Sequence, residues 1–191
     1  MKVLGISGST RKDGNTVILI NTFFEELHKE NIETEFIQFA DSMIEPCKAC
    51  WACGGRENCV HCRDIFADTF QKMKEADGIV FGSPVYSANV SANMQTFLER
   101  AAVVADTNPG LFTYKVGAAL AVERRAGAMI AMDTMHHFFL NHEMYVVGAN
   151  YWSVACGQLP GDVLKANEGI QTIRNLSKNM AFLLKILKDS R

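Results

Sequence analysis

The sequence of 191 residues predicts an α/β protein, with five parallel strands in one sheet, in the order 2-1-3-4-5, and helices on both faces. Short apolar runs alternate with segments whose apolar residues recur at helical spacing, and this alternation continues along the chain. The first apolar run is the purest, and the most elaborate loop follows it, which is typical of a central strand where the strand order reverses. The sequence contains no linker, internal repeat or low-complexity segment, so we expect a single domain over residues 1–191.

The first half of the chain predicts three strands and two helices. Lys2–Ser7 is a short apolar run that predicts a buried strand, and Ile32–Phe39 alternates as expected of a second strand. Asn15–Lys29 follows a glycine and carries apolar residues at helical intervals, which predicts a helix. The same spacing predicts a helix over Asp64–Glu75, and Gly78–Phe81 predicts the third strand.

The second half repeats the alternation of helix and strand. The same two patterns predict helices where apolar residues recur at helical spacing and strands where they run together. We expect the last helix to be broken near its glycine at position 169. In order, the predicted elements are a helix over Val90–Val104, a strand over Lys115–Glu123, a helix over Ala126–Asn141, a strand over Met144–Val154 and a helix over Asp162–Lys188.

Composition and charge exclude two classes of partner. The formal net charge is −2 and no run of lysines or arginines is present, so we expect no nucleic-acid partner. No apolar stretch approaches the roughly 20 residues that span a bilayer, so we expect no membrane insertion. The chain starts with a predicted strand rather than a signal peptide, and we therefore expect a cytoplasmic location.

A loop rich in hydroxyl groups and glycines joins the first predicted strand to the first helix, with the sequence SGSTRKDGNT over residues 7–16. Backbone N–H groups at a helix N-terminus attract an anion through their unpaired donors and the helix dipole. The serines, asparagine and threonine of this loop add side-chain donors, and Arg11 adds positive charge. The two glycines allow the backbone to bend around a ligand.

This loop differs from two better-known phosphate-binding patterns. The Walker pattern requires lysine after its last glycine, whereas Asn15 follows Gly14 here, and the dinucleotide pattern G-x-G-x-x-G is absent. A hydroxyl-rich loop without that lysine suits a monophosphate held mostly by neutral donors, as in FMN. The alternative is a capped turn that holds no ligand.

Five of the six cysteines fall between positions 47 and 62. Cys47, Cys50 and Cys53 are spaced by two residues and Cys59 follows, with Cys62 shortly after it, in a loop over residues 46–63. Such two-residue spacing lets successive sulfurs reach neighbouring irons of a [4Fe–4S] cluster. The spacing favours Cys59 over Cys62 as the fourth ligand.

Two other interpretations of the cysteine loop stay open. Zinc could be held by the pairs Cys47/Cys50 and Cys59/Cys62, although the eight residues between the pairs are fewer than the roughly 12–20 of two-pair zinc sites. The cysteines could also be metal-free or redox-active thiols. Disulfides are disfavoured if the chain is intracellular.

Together, the S-G-S-T-R-x-x-G-N-T loop at 7–16, the G-S-P-V-Y segment at 82–86 and the complete C-x2-C-x2-C-x5-C motif resemble one known group of proteins. The chain resembles the iron–sulfur flavoproteins, a branch of the NADPH-dependent FMN reductase family with the flavodoxin-like fold. The resemblance covers roughly residues 1–130. It implies that Cys47, Cys50, Cys53 and Cys59 bind the cluster.

The resemblance also implies the residues that bind FMN. The loop at 7–16 would hold its phosphate, and the segment at 83–89 would run along the ribityl chain and the edge of the isoalloxazine ring. A third loop, after the fourth strand, would contact the flavin, and its two arginines depart from the glycine-rich form of related sequences. The implied set is Ser7, Ser9, Thr10, Arg11, Gly14, Asn15, Thr16, Ser83, Pro84, Val85, Tyr86, Ser87, Asn89, Glu123 and Arg124.

The function that the resemblance implies is electron transfer. A one-electron donor such as ferredoxin would reduce the cluster, the cluster would reduce FMN, and FMN would reduce a small-molecule acceptor. The chemistry is centred on the flavin, so no catalytic side chain is expected. We expect a homodimer or homotetramer.

Two alternative functions stay open. One is a NAD(P)H-dependent FMN or quinone reductase without a functional cluster, for which NAD(P)H would be a substrate. The other is a non-catalytic flavodoxin-like protein whose cysteine loop binds zinc or senses redox state.

Overall fold

The computed structural model describes residues 1–61 and 63–189. Four of its strands match the predicted ones closely: β1 (Lys2–Ser7), β2 (Glu33–Gln38), β3 (Gly78–Pro84) and β4 (Val116–Glu123). All pair in parallel, and the sheet order 2-1-3-4-5 is confirmed. Since β1 pairs with both β2 and β3, the order reverses beside it.

The fifth position of the sheet differs from the prediction, because Met144–Val154 is not one continuous strand. Two short strands occupy it: β5 (Tyr145–Val146) pairs with the start of β4, and β6 (Val154–Cys156) pairs with its end. The backbone between them bonds to the last helix instead, since Asn150 N donates to Asn175 Oδ1 at 2.8 Å. Glycine and asparagine, which occur in this stretch, disfavour strands.

The described residues form five α-helices: α1 (Asn15–Lys29), α2 (Phe66–Glu75), α3 (Ala92–Asp106), α4 (Ala128–Asn141) and α5 (Asn167–Asp189). The first four connect strands, and α5 follows β6. The predicted break near Gly169 is wrong, because α5 runs through this residue without interruption. A separate 3-10 turn over Asp162–Lys165 precedes α5. None of the described helices is long and apolar enough to cross a membrane.

Two apolar layers enclose the sheet. One joins α1 and α5 to side chains such as Val3, and the other joins α2, α3 and α4 to Leu4 and Ile6. The alternation along β1 sends successive side chains to opposite faces, so the strand is buried on both. Because β1, β3 and β4 pair in parallel, their carboxyl ends lie at the same edge of the sheet.

Candidate functional site

A cavity of about 250 Å³ lies at the carboxyl ends of β1, β3 and β4, where the strand order reverses. In parallel α/β sheets, ligands bind at this edge beside the reversal point. The loop after β1, the ends of β3 and β4, and the chain after β6 line the cavity. Its lining residues are Ser9, Arg11, Gly14, Asn15, Thr16, Pro84, Val85, Tyr86, Val122, Arg124, Gly157 and Gln158.

The N-terminus of α1 faces this cavity without a competing cap. Gly14 is the N-cap residue, no side chain accepts a hydrogen bond there, and the first turn carries no acidic residue. The N–H groups of Asn15 and Thr16 have no carbonyl within the helix to receive them. Both residues are buried and line the cavity. This end of α1 can therefore bind an anion such as a phosphate group.

The loop between β1 and α1 is held in shape by its own serines. Ser9 N donates to Ser7 Oγ at 3.3 Å, and Arg11 N donates to Ser9 Oγ at 3.1 Å. Ser7 is fully buried beneath the loop, whereas Ser9 reaches the cavity. Thr10 is exposed and lies outside the lining. Ser7 thus supports the loop from below.

A segment after β6 closes the cavity, and sequence reasoning missed it. Asn15 Nδ2 donates to Leu159 O at 2.9 Å, and Arg11 Nη1 donates to Gln158 O at 3.1 Å. A Cβ at Gly157 would lie 2.8 Å from Asn15 Nδ2, so this close approach requires glycine. The signal available in the sequence was the glycine-rich stretch GQLPG at the end of a strand. Asn15 therefore joins two loops instead of capping α1.

A tight turn after β3 places an aromatic side chain at the edge of the cavity. Tyr86 and Asn89 exchange backbone hydrogen bonds of 2.9 and 3.1 Å across the turn. Ser87 and Ala88 between them have φ values of 50° and 61°, so the turn has two left-handed residues, as type I′ turns do. Tyr86 is held here while 44% exposed, and its side chain can contact a ligand in the cavity.

Several predicted residues support the site without lining it. Ser83 Oγ accepts from Ser91 N at 2.9 Å and fixes the start of α3. Asn89 Oδ1 accepts from Thr134 Oγ1 at 2.8 Å, so this side chain is directed at α4. Glu123 Oε2 accepts from Ala128 N at 2.9 Å at the beginning of α4. The predicted residues outside the lining are Ser7, Thr10, Ser83, Ser87, Asn89 and Glu123.

The cysteine loop lies against α3 and differs in exposure from one thiol to the next. Cys53 is buried, Cys47 and Cys59 are half-buried and Cys50 is exposed. The sulfurs of Cys47 and Cys59 each accept a backbone N–H at 3.4 Å, from Ala49 and His61. Cys50 Sγ lies 3.6 Å from Nε2 of His61. Cys62 lies outside the described residues.

Arg100 of α3 joins both ends of the cysteine loop. Its Nε donates to Cys59 Sγ at 3.3 Å, its Nη1 lies 2.6 Å from the Asp64 carboxylate, and Nη1 also donates to Glu45 O. The side chain is only 2% exposed, and its guanidinium stacks on Phe66 at 4.2 Å. Burial opposes its charge, but Cys59 and Asp64 raise the pKa of Arg100. Sequence reasoning missed this residue, because one arginine in an amphipathic helix carries no distinctive signal.

A second set of contacts anchors Cys53 to the end of α3. Cys53 Sγ lies 3.3 Å from Thr107 Oγ1, and Asn108 Nδ2 donates to Cys53 O at 3.0 Å. Within the loop, the non-glycine residues Ala49, Trp51 and Glu57 have φ between 49° and 58°. Such strained positions persist where the surrounding structure fixes them, often at functional sites.

The donor set of this loop fits an iron–sulfur cluster. Four thiols lie within residues 47–59, and N–H groups and a guanidinium already donate to their sulfurs, as they do around bound thiolates. Among residues 1–61 and 63–189, no three His, Cys, Asp or Glu side chains converge as ligands of a single ion.

Comparisons with known proteins show the family of this chain. Residues 1–158 match the family described as NADPH-dependent FMN reductase. The chain is 40% identical to an iron–sulfur flavoprotein of Methanocaldococcus jannaschii over 98% of this chain and 100% of that protein. It is 31% identical to an iron–sulfur flavoprotein of Methanosarcina thermophila over 100% of this chain and 99% of that protein.

A solved structure shares the fold. The crystal structure of RosB with bound 8-demethyl-8-formylriboflavin 5′-phosphate superposes with a TM-score of 0.78 at 21% identity, covering 100% of this chain and 81% of RosB. The sheet order, the matched family and the two full-length relatives point to the same assignment. The chain therefore belongs to the iron–sulfur flavoprotein branch of the NADPH-dependent FMN reductase family, and is an FMN-dependent oxidoreductase.

Proposed function

We propose that this protein passes electrons from a one-electron donor of the ferredoxin type through a [4Fe–4S] cluster to FMN, and then to a small-molecule acceptor. The observation that carries the proposal is the pair of donors on Cys59, the guanidinium of Arg100 and the N–H of His61. Both hydrogen bonds to the Cys59 sulfur would stabilise the negative charge of a metal-bound thiolate. When bound, the cluster supplies one-electron chemistry and FMN supplies one- or two-electron chemistry.

Different residues of the cavity would bind different parts of FMN. The open N-terminus of α1, with Ser9, Arg11 and Thr16, would bind the phosphate, since it combines unpaired N–H groups with one positive charge. Tyr86 and Arg124, at the other side of the cavity, would border the isoalloxazine ring. Cys47, Cys50, Cys53 and Cys59 would hold the cluster. No side chain need act as an acid or base in this scheme.

We further propose that the active form is a homodimer or homotetramer. Ser91 stands at the cofactor end of α3, and Arg100, beside Cys59, lies nine residues further along the helix, a rise of about 13 Å. Thr107, beside Cys53, lies about 24 Å from Ser91 along the same axis. The two sites of one chain are thus spread along a helix, and a neighbouring chain could bring a cluster closer to the flavin.

The test is to purify the protein without oxygen and to quantify flavin, iron, sulfide and zinc on one sample beside its absorption spectrum. We expect one FMN and about four irons per chain, because the proposed cluster is of the [4Fe–4S] type. Cys59→Ala should lose most of its iron and keep its flavin. Cys156→Ala, which removes a free cysteine outside the loop, should keep both. Full iron in Cys59→Ala, or zinc in place of iron, would contradict the cluster proposal.

A second candidate is a reductase that takes hydride from NAD(P)H and uses no cluster. The observation in its favour is the family that residues 1–158 match, whose description names NADPH. Flavin without iron, bleached directly by NADPH under nitrogen, would favour this candidate over the first.

A further inference from the structure

A second cavity lies behind the wall of the flavin pocket. It has a volume of about 480 Å³, within the range of small-molecule sites, and is bounded by the start of α4, strand β6 and the first turns of α5. Successive residues at the end of β4 alternate between the two cavities: Val122 and Arg124 line the flavin pocket, whereas Glu123 lines the second one. The end of β6 divides likewise: its last residue, Cys156, lines the second cavity, and the next residue, Gly157, lines the flavin pocket.

The wall of this second cavity carries a buried hydroxyl group without a hydrogen-bond partner. Thr172 of α5 is 1% exposed and lines the cavity, and its Oγ1 makes no hydrogen bond within the part of the chain that the structure describes. A helical threonine commonly donates to the carbonyl four residues earlier. Thr22 and Thr69, which are likewise buried within helices, do so here at 2.9 and 2.8 Å. Thr172 differs from both at the place where it borders a cavity.

The rest of the lining is apolar and aromatic. Met129 and Ile130 of α4 and Val154 of β6 contribute aliphatic surface, and Tyr151 and Trp152 stand at the mouth with 54% and 55% of their surface exposed. These two rings lie 4.7 Å apart. Large exposed aromatic side chains beside a cavity favour contact with another aromatic ring.

The charges around the cavity restrict the ligand further. Glu123 and Glu168 line it, and no lysine, arginine or histidine does so among its described residues. An anionic ligand would meet two carboxylates and no compensating positive charge. The Thr172 hydroxyl can donate or accept, so it suits a phenolic hydroxyl or a carbonyl.

We propose that this cavity binds a small uncharged aromatic molecule that bears a hydroxyl or carbonyl group. The polar group of the ligand bonds to Thr172, and its ring lies between the aliphatic side chains of α4 and the aromatic pair at the mouth. The site is separate from the flavin pocket, so it requires neither flavin nor cluster. An experiment that contradicts the proposed electron-transfer function therefore does not contradict ligand binding in this cavity. Likewise, failure of the cavity to bind a ligand does not contradict electron transfer.

The test is a calorimetric titration with 1-naphthol, carried out on the purified 191-residue protein saturated with FMN. We expect saturable binding that FMN does not displace. The anion 1-naphthoate should not bind. Thr172→Val should weaken binding of 1-naphthol about fivefold to tenfold, the effect of one lost hydrogen bond. Trp152→Ala should weaken it about tenfold, through lost apolar contact.

The control variant is Thr22→Val, which makes the same substitution at a buried helical threonine whose hydroxyl already bonds to Ile18 O. This variant should bind 1-naphthol as the parent protein does. Absence of saturable binding, or equal binding by Thr172→Val and the parent, would overturn the proposal. So would a drop in molar mass of Trp152→Ala by light scattering with unchanged 1-naphthol affinity, since the aromatic pair would then belong to a contact between chains.

Discussion

Arg100 donates a hydrogen bond from Nε to the sulfur of Cys59 at 3.3 Å, across 41 positions of sequence. The same guanidinium is paired with Asp64, whose side chain is only 6% exposed. Arg100 therefore holds both Cys59, a predicted cluster ligand, and the end of the cysteine loop against α3. Its positive charge is held where reduction of a cluster would add negative charge.

Replacing Arg100 with methionine should lower the free energy of unfolding by about 3–5 kcal/mol, because the buried Asp64 carboxylate would lose its partner. Urea denaturation of the metal-free protein measures this loss. The double variant Arg100→Met/Asp64→Asn should lose less than the sum of the two single variants. Strict additivity would show that the pair contributes nothing beyond its separate side chains.

In protein that contains the cluster, Arg100→Met should also lower the cluster reduction potential. Removal of a nearby positive charge disfavours the more negative reduced form, and a shift on the order of 60 mV corresponds to a tenfold change in the one-electron equilibrium. Arg100→Lys keeps the charge and should retain most of the parent potential. A spectroelectrochemical titration compares the three proteins, and equal potentials in all of them would show that the charge of Arg100 does not act on the cluster.

Arg11→Ala should weaken FMN binding about tenfold and leave riboflavin binding nearly unchanged, because Arg11 supplies the positive charge at the predicted phosphate position. Lys12→Ala is the matched control, since Lys12 is exposed, pairs with Asp41 and does not line the cavity. Fluorescence titration of both flavins with the apoprotein gives the affinities. An equal loss for both flavins would place Arg11 beside the ring system instead.

Gly157→Ala should weaken FMN binding and lower stability together. The added methyl group would approach Asn15 Nδ2 to 2.8 Å and the backbone N of Val163 to 3.0 Å, so the segment after β6 would have to shift. We expect a loss of about 1–3 kcal/mol in the free energy of unfolding, as for other overpacked sites. Gly148→Ala, where a Cβ would contact nothing within 4 Å, is the control for adding the same methyl group. Unchanged affinity for FMN in Gly157→Ala would show that the segment after β6 does not contribute to FMN binding.

Acid should weaken the contact between α1 and α5 through Glu26. Lys29 and then Arg174 bond to this buried carboxylate, at 2.7 and 2.6 Å, and lower the pKa of Glu26 although burial opposes them. The folded pKa lies below the unfolded value of roughly 4.3. The contribution to stability is therefore complete above that pH and is lost as pH falls through the folded pKa.

Glu26→Gln should consequently cost about 1–3 kcal/mol at pH 7 and progressively less below roughly pH 4. The comparison is Glu25→Gln, whose carboxylate also contacts Arg174 but is 58% exposed, and which should cost little at any pH. Thermal denaturation across the pH series measures both variants. A cost of Glu26→Gln that stays constant down to pH 3 would contradict the pKa argument.

The sequence by itself predicted the parallel sheet and its order. Apolar runs and helical periodicity are local signals that indicate the elements, and the purest apolar run followed by the most elaborate loop indicated where the order reverses. Lys2–Ser7 and Asn15–Lys29 have the predicted bounds. The same reasoning failed at Met144–Val154, where the backbone of Asn150 bonds to α5. Periodicity alone cannot report that competing partner.

For the candidate site, the sequence predicted the loop after β1, the segment after β3 and the four clustered cysteines, since each is a contiguous motif. Only the tertiary structure decided which of these side chains face the cavity and which, like Ser83 and Asn89, hold neighbouring elements. It alone brought Gly157 to Asn15 and Arg100 to Cys59, pairs that are far apart in the chain. The physical reason is that such contacts depend on how helices and loops pack on the sheet, and no spacing within a single segment encodes them.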